Sequence, residues 1–174
     1  LGIARDNEKD LMEKFKWALQ CDMVVSSGGV SVGDYDLVKT SLEKMGQEML
    51  FWKVAMKPGK PLAFGRINDV PIFGLPGNPV SSFVSFEQFV RPSIRKMMGA
   101  TQLNHKSVQA KLTRTVYKKA GRQHFLSAYV NWEDGECTVS PTQEQGSGIL
   151  KSTVNANGLL IFPLELTEMT EGTE

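Results

Sequence analysis

Ser26-Ser-Gly-Gly-Val-Ser-Val-Gly-Asp-Tyr-Asp36 is the stretch whose reading decides the fold. It directly follows the short apolar run Met23-Val24-Val25, which reads as a buried strand. It precedes a helical pattern in which Val38, Leu42 and Met45 share one face. Strand, glycine loop and helix in that order place a crevice at the carboxyl end of the strand, where open α/β sheets bind ligands. Gly28, Gly29 and Gly33 lack a Cβ and let a ligand approach the main chain. Successive N–H groups there can form an anion-binding nest, with Ser26, Ser27 and Ser31 adding hydroxyl donors. Asp34 and Asp36 would repel a bare anion, so their presence makes sense if a hard cation such as Mg²⁺ bridges them to phosphate. The stretch is neither the dinucleotide fingerprint nor a P-loop. An ordinary turn, with Asp36 capping a helix that begins at Leu37, is the competing reading.

The whole chain bounds what such a site can serve. Its 174 residues suffice for one large or two small domains. A net charge of +1 gives a nucleic-acid partner no electrostatic support, so any basic site must be local. Cys21 and Cys137 are too few for a disulfide framework or a cysteine zinc site, which points to a reducing compartment, the cytoplasm. His105 and His124 lie in different regions, which argues against a histidine metal site or triad. No apolar run reaches the roughly 18 residues of a membrane span, and no signal-peptide pattern opens the chain, so no membrane partner is expected. Leu1 begins in the middle of what reads as a strand, as expected of a fragment.

Outward from the glycine stretch, Leu1 to Ala4 reads as a strand end, and Asp6-Asn7 as the cap of a helix that buries Leu11, Phe15, Ala18 and Leu19. Gly46 suits the end of the next helix. Met49 to Ala55 reads as a strand, followed by Lys57-Pro58-Gly59-Lys60. Proline then glycine is what a type II turn requires, and such a turn holds the flanking lysine Cα atoms within about 7 Å. Lys53, four residues before Lys57, brings a further ammonium group if it shares the strand's face. Lysines on a sheet edge can simply discourage edge pairing. A turn that concentrates like charge is better explained by an anion between them.

Leu62 to Ile67 and Val70 to Leu75 form a hairpin around Asn68-Asp69. In Gly74-Leu-Pro-Gly-Asn-Pro-Val-Ser81, Asn78 and Pro79 are an N-cap and first helical residue. That helix is expected to bury Phe83, Phe86, Val90, Ile94 and Met97, with Pro92 kinking or splitting it. Its start is either one more anion site or a plain capped core helix. Beyond Gly99 the pattern changes to strands, Val108 to Tyr117, Arg122 to Trp132, Glu136 to Val139 and Leu159 to Phe162, broken at glycines. The expectation is an α/β domain over residues 1–100 and a small all-β, barrel-like domain over residues 101–174.

Taken with Trp52-Lys-Val-Ala-Met-Lys-Pro-Gly-Lys-Pro61, these motifs resemble the molybdopterin molybdenumtransferase family, the MoeA family that includes the gephyrin E domain. The resemblance covers the whole chain and is strongest from Asp22 to Ser81. It implies a three-layer α/β/α molybdopterin-binding domain of the MogA/MoaB-like kind, followed by the family's carboxy-terminal β-domain. It also implies a homodimer of about twice this length, whose amino-terminal half lies outside this chain. The family moves molybdenum from molybdate into adenylylated molybdopterin and releases AMP, with Mg²⁺ as cofactor. By the family pattern Lys53, Lys57 and Lys60 face the anions, as point charges with rotatable donors. Ser31, Ser81 and Ser147 supply hydroxyls, Asp6 and Asp36 hold Mg²⁺, and Gly28, Gly29, Gly33, Asn78, Pro79 and Arg122 complete the cofactor-binding set. Where many members carry a second arginine after the Gly-Arg pair, this chain has Leu126-Ser127. By the same resemblance the chain alone is expected to bind substrate weakly without releasing AMP. A MogA-like adenylyltransferase and a gephyrin-like scaffold are the rival readings. The first usually carries a Thr-Gly-Gly motif and lacks the Lys-Pro-Gly-Lys turn and the β-domain.

Overall fold

Asn7 opens the first helix, α1 (Glu8–Ala18), by accepting the Asp10 N–H on its side chain at 2.9 Å. This satisfies a donor that the helix itself leaves free. Leu11, Phe15 and Ala18 form its buried stripe. The structure, a computed structural model, describes residues 1–28, 35–142 and 150–174, and the side chains of these apart from Tyr35, Asp36 and Ser152. Strand β1 (Val24–Ser27) follows, then α2 (Tyr35–Lys44), which buries Val38 and Leu42. Gly46, at φ 82°, ends α2 as the sequence predicts: its N–H reaches the Glu43 carbonyl and that of Gln47 reaches Leu42. Those paired bonds define a Schellman end, which needs the left-handed backbone that glycine tolerates.

The next strands are β2 (Glu48–Trp52), β3 (Met56–Lys57), β4 (Ala63–Ile67) and β5 (Val70–Leu75). The chain divides into two compact units, one of Leu1–Val54 with Gly59–Val90, the other of Ala55–Pro58 with Arg91–Glu174. The first unit holds a four-stranded sheet in the order β1-β5-β4-β2, with β1 parallel to β5 and the other pairs antiparallel. Asn68 and Asp69 both take positive φ, the two-residue turn that matches strand twist in a hairpin. Alternation along β5 sends Ile72 to one face, with Leu11, Phe15, Val38 and Leu42, and Phe73 and Leu75 to the other, with Leu62 and Val90. Helices thus cover both faces of the sheet, giving the expected three layers. Each side chain of this size contributes about 1.5–3 kcal/mol when fully buried. Gly65 lets β4 meet β2 closely, since a Cβ there would lie 2.6 Å from the Glu48 carbonyl oxygen.

Several local expectations are corrected. Leu1 to Ala4 forms no strand, and Leu1 and Ile3 are exposed. The strand expected from Met49 to Ala55 stops at Trp52, because Lys53 turns to φ 80°. The helix after Asn78 is α3 (Pro79–Ser85), a π-helical turn over Phe86–Val90, and α4 (Arg91–Met97). Pro92 falls in the first turn of α4, where its missing N–H is not needed. The wider turn before it resets the helical phase for α4, where Ile94 and Met97 are exposed. In α3 Phe83 is exposed and Val80 and Val84 are buried, while Val90 is buried as expected.

The second unit adds β6 (Lys111–Leu112), β7 (Val116–Tyr117), β8 (Gln123–Glu133), β9 (Glu136–Pro141), a short helix α5 (Leu150–Val154), β10 (Gly158–Phe162) and β11 (Glu168–Met169). Strands run in the order β10-β8-β9-β6, with β3 also on β8, and β7 with β11 forms a two-stranded ribbon. Positive φ at Asp134 and Gly135 turns β8 into β9. Leu112, Ala128 and Val139 form the core, flanked by Val116, Val130, Leu160 and Met169. The single strand expected over Val108 to Tyr117 is two pieces, since Thr113 leaves β6 to donate to the Val139 carbonyl.

Candidate functional site

In the first unit the carboxyl ends of parallel strands β1 and β5 lie side by side, Ser27 in register with Leu75. This is where open α/β sheets hold ligands. The Gly28 N–H donates to the Leu75 carbonyl at 3.0 Å. A Cβ on Gly77 would lie 3.4 Å from the Gly28 Cα, so the two glycine loops bring bare backbone together. Gly28 stands at φ 89°, a conformation only glycine adopts without strain. Asn78 caps α3 by accepting the Ser81 N–H at 3.4 Å, and Pro79 follows at the first position. Ser81 is buried beneath this cap, whereas Ser82 reaches the Ser27 hydroxyl at 3.4 Å. Ser82 escaped the sequence reading, which had no means to tell which of two adjacent serines faces the loop. Gly29, Ser31, Gly33, Asp34 and Ser147 lie outside the described residues.

The lysines are placed by backbone pairing rather than by one strand face. Lys53 donates its N–H to the Leu62 carbonyl at 2.9 Å, and the Val54 N–H reaches the Lys60 carbonyl at 3.0 Å. Lys53 and Lys60 therefore flank the same short ladder in the first unit, both exposed. A non-glycine residue in the left-handed region costs about 1–2 kcal/mol, and such strain collects at functional positions. Lys57 belongs to the second unit, as the partner of His124 in the parallel pairing of β3 with β8. Gly59 has the positive φ that a type II turn requires at its third position, and the Lys57–Pro58 peptide is cis.

In the second unit Lys57, the register partner of His124 on the neighbouring strand, acts by charge on the His124 ring together with Lys118 and Arg122. Burial of the ring, and then the charges of Lys57, Lys118 and Arg122, push the His124 pKa down to about 4. Phe162, fully buried, closes the cluster from below: its ring lies 6.4 Å from that of His124 and 4.9 Å from the Lys118 ammonium. Lys118 also donates to the Leu164 carbonyl at 3.2 Å, which fixes its position. Of this cluster the sequence reading found Lys57 and Arg122 and missed Lys118 and His124. The Lys118-Lys119 pair just before Gly121-Arg122 was the available signal.

The acidic positions are less complete. Asp6 is exposed just before α1. Asp36 sits inside the first turn of α2, which begins at Tyr35, so it is not the N-cap expected from the sequence. Among the described residues no group of three histidines, cysteines or acidic residues could hold a metal ion. These residues therefore do not fit a Mg²⁺ site by themselves.

Residues 1–96 match the family described as "Probable molybdopterin binding domain", and residues 109–174 that described as "MoeA C-terminal region (domain IV)". The chain is 41% identical to the molybdopterin molybdenumtransferase of Haemophilus influenzae, over 99% of this chain and 43% of that protein. It is 35% identical to gephyrin of Dictyostelium discoideum, over 99% of this chain and 27% of that one. The crystal structure of a molybdopterin biosynthesis MoeA protein from Pyrococcus horikoshii superimposes with a TM-score of 0.77 at 31% identity, covering 98% of this chain and 40% of that one. The chain thus spans less than half the length of these relatives.

Proposed function

The chain belongs to the molybdopterin-binding family of MoeA and gephyrin, and from that premise we propose that it forms the substrate-binding part of a molybdopterin molybdenumtransferase. The reaction is transfer of molybdenum from molybdate into adenylylated molybdopterin, with release of AMP. The observation that carries this reading is the approach of Gly28 to Gly77 at the ends of β1 and β5. Bare backbone there leaves room for a pyrophosphate link, while the Gly28 N–H itself is taken by the Leu75 carbonyl. Within the first unit the exposed Lys53 and Lys60 supply cations to a strongly anionic substrate, and Lys57 and Arg122 of the second unit are read, by the family pattern, as anion ligands there. Ser31, Ser81 and Ser147 belong to the same proposal as hydroxyl donors, and Asp6 and Asp36 as its acidic positions. The described residues do not complete a set of Mg²⁺ ligands. Working as a homodimer in the cytoplasm is part of the reading, and the free Cys21 and Cys137 agree with its reducing compartment. Over a MogA-like adenylyltransferase it is favoured by the match of residues 109–174 to the MoeA carboxy-terminal region.

The test is equilibrium dialysis of the chain against adenylylated molybdopterin and molybdate, with AMP followed by chromatography. The chain should retain the nucleotide and release no AMP, because the rest of the cleft belongs to the part that the relatives carry in addition. Lys60→Ala should weaken retention at least tenfold, as loss of a charge-assisted contact of about 1.5–3 kcal/mol implies. Absence of retention would refute the substrate assignment. AMP released at the rate of a full-length relative would refute the shared cleft.

A further inference from the structure

Among the described residues no ion pair joins Lys57, Lys118 or Arg122 to an acidic group, yet the charges of all three act on one half-buried ring. Lys57 lies on β3 in register with His124, Lys118 in the segment after β7, and Arg122 immediately before β8. Phe162, on β10, is the uncharged floor. Lys118 is held between that ring and the Leu164 carbonyl and cannot swing away without losing both contacts. Like charges gathered on a fixed frame repel one another until a counter-charge arrives.

We propose that Lys57, Lys118 and Arg122 frame an oxyanion site in the second unit, and that His124 takes up one proton from solvent when a tetrahedral dianion binds there. The inference rests on the reading of Lys57 and Arg122 as anion ligands and adds Lys118 and His124 to it. In the free protein His124 is neutral above about pH 4. A bound dianion offsets the cations that depress it, leaves only the burial penalty, and so moves its titration back toward the ordinary value near 6.5. Because the complex then holds more protons than the free protein, binding tightens as pH falls between those two midpoints. The limit is about tenfold per pH unit. The imidazolium also gains two N–H donors to offer the anion, where the neutral ring has one.

His105 and His124 are the two histidines of the chain, so their imidazole resonances can be followed separately by NMR. The whole chain would be titrated with acid alone, with saturating sulfate, which stays a dianion throughout, and with molybdate. Sulfate should raise the His124 midpoint by more than one pH unit and leave that of His105 in place. Lys118→Gln should raise the midpoint of the free protein and weaken sulfate binding about tenfold. Anion binding with an unmoved His124 midpoint, or an unmoved midpoint in Lys118→Gln, would overturn this inference and leave Lys57 and Arg122 as anion ligands. No binding of either anion, with Lys57→Ala indistinguishable from the parent, would overturn both.

Discussion

The first unit prepares its candidate site with backbone, the second with side-chain charge. Gly28 and Gly77 meet without side chains between them, Lys53 is turned to φ 80°, and the strand ends of β1 and β5 set the spacing. Around His124 the frame is an ordinary sheet, and what is unusual is three cations on one ring. The two kinds of site should fail in different ways. A backbone site is sensitive to an added Cβ or a changed φ. A charge site is sensitive to pH, salt and the loss of one lysine, while its fold persists.

The sharpest way to break that comparison is Gly65→Ala. Its Cβ would sit 2.6 Å from the Glu48 carbonyl oxygen, an overlap with backbone that forces β4 away from β2. We expect a loss of about 3 kcal/mol, at the upper end of overpacking costs. Calorimetry should show it in the unfolding of the first unit, with the His124 titration unchanged. If that titration moved with the mutation, the separation of backbone site from charge site would be wrong.

Lys53→Gly sharpens the comparison from the other side. Glycine removes the left-handed penalty but enlarges the unfolded ensemble, leaving a net gain of about 0.5–1 kcal/mol. The variant should melt at a higher temperature and yet retain adenylylated molybdopterin less well. Lower stability would mean that the Lys53 conformation carries no strain, and unchanged retention that its charge has no ligand.

The smallest effect is expected from Asp36→Asn. Asp36 falls in the first turn of α2, where a negative charge is in general worth about 0.3–1 kcal/mol, so urea unfolding should record a loss of about 0.5 kcal/mol. If Asp36 also serves the reaction, AMP release by a full-length protein carrying the change should fall far more than stability does. A parallel, equally small fall in both would leave it a helix residue.

By itself the sequence determined the parts whose cause lies within a few residues. Asn7 and Asn78 as caps, Gly46 at φ 82°, the Asn68-Asp69 turn and the stripe of Leu11, Phe15 and Ala18 follow from local hydrogen bonding and periodicity. Gly28 after β1, at φ 89°, was legible for the same reason, whereas Arg122 was named only through the family resemblance. Tertiary structure alone decided where the lysines go. Lys53 ends its strand because Leu62 and Lys60 supply the ladder partners, while Lys57 leaves that sheet to pair with His124, far along the chain. The phase of the helices after Asn78 was settled by a π-helical turn that no 3.6-residue period announces. The environment of His124 comes from residues 57, 118, 122 and 162, and charge adds up by distance in space, which no spacing along the chain records.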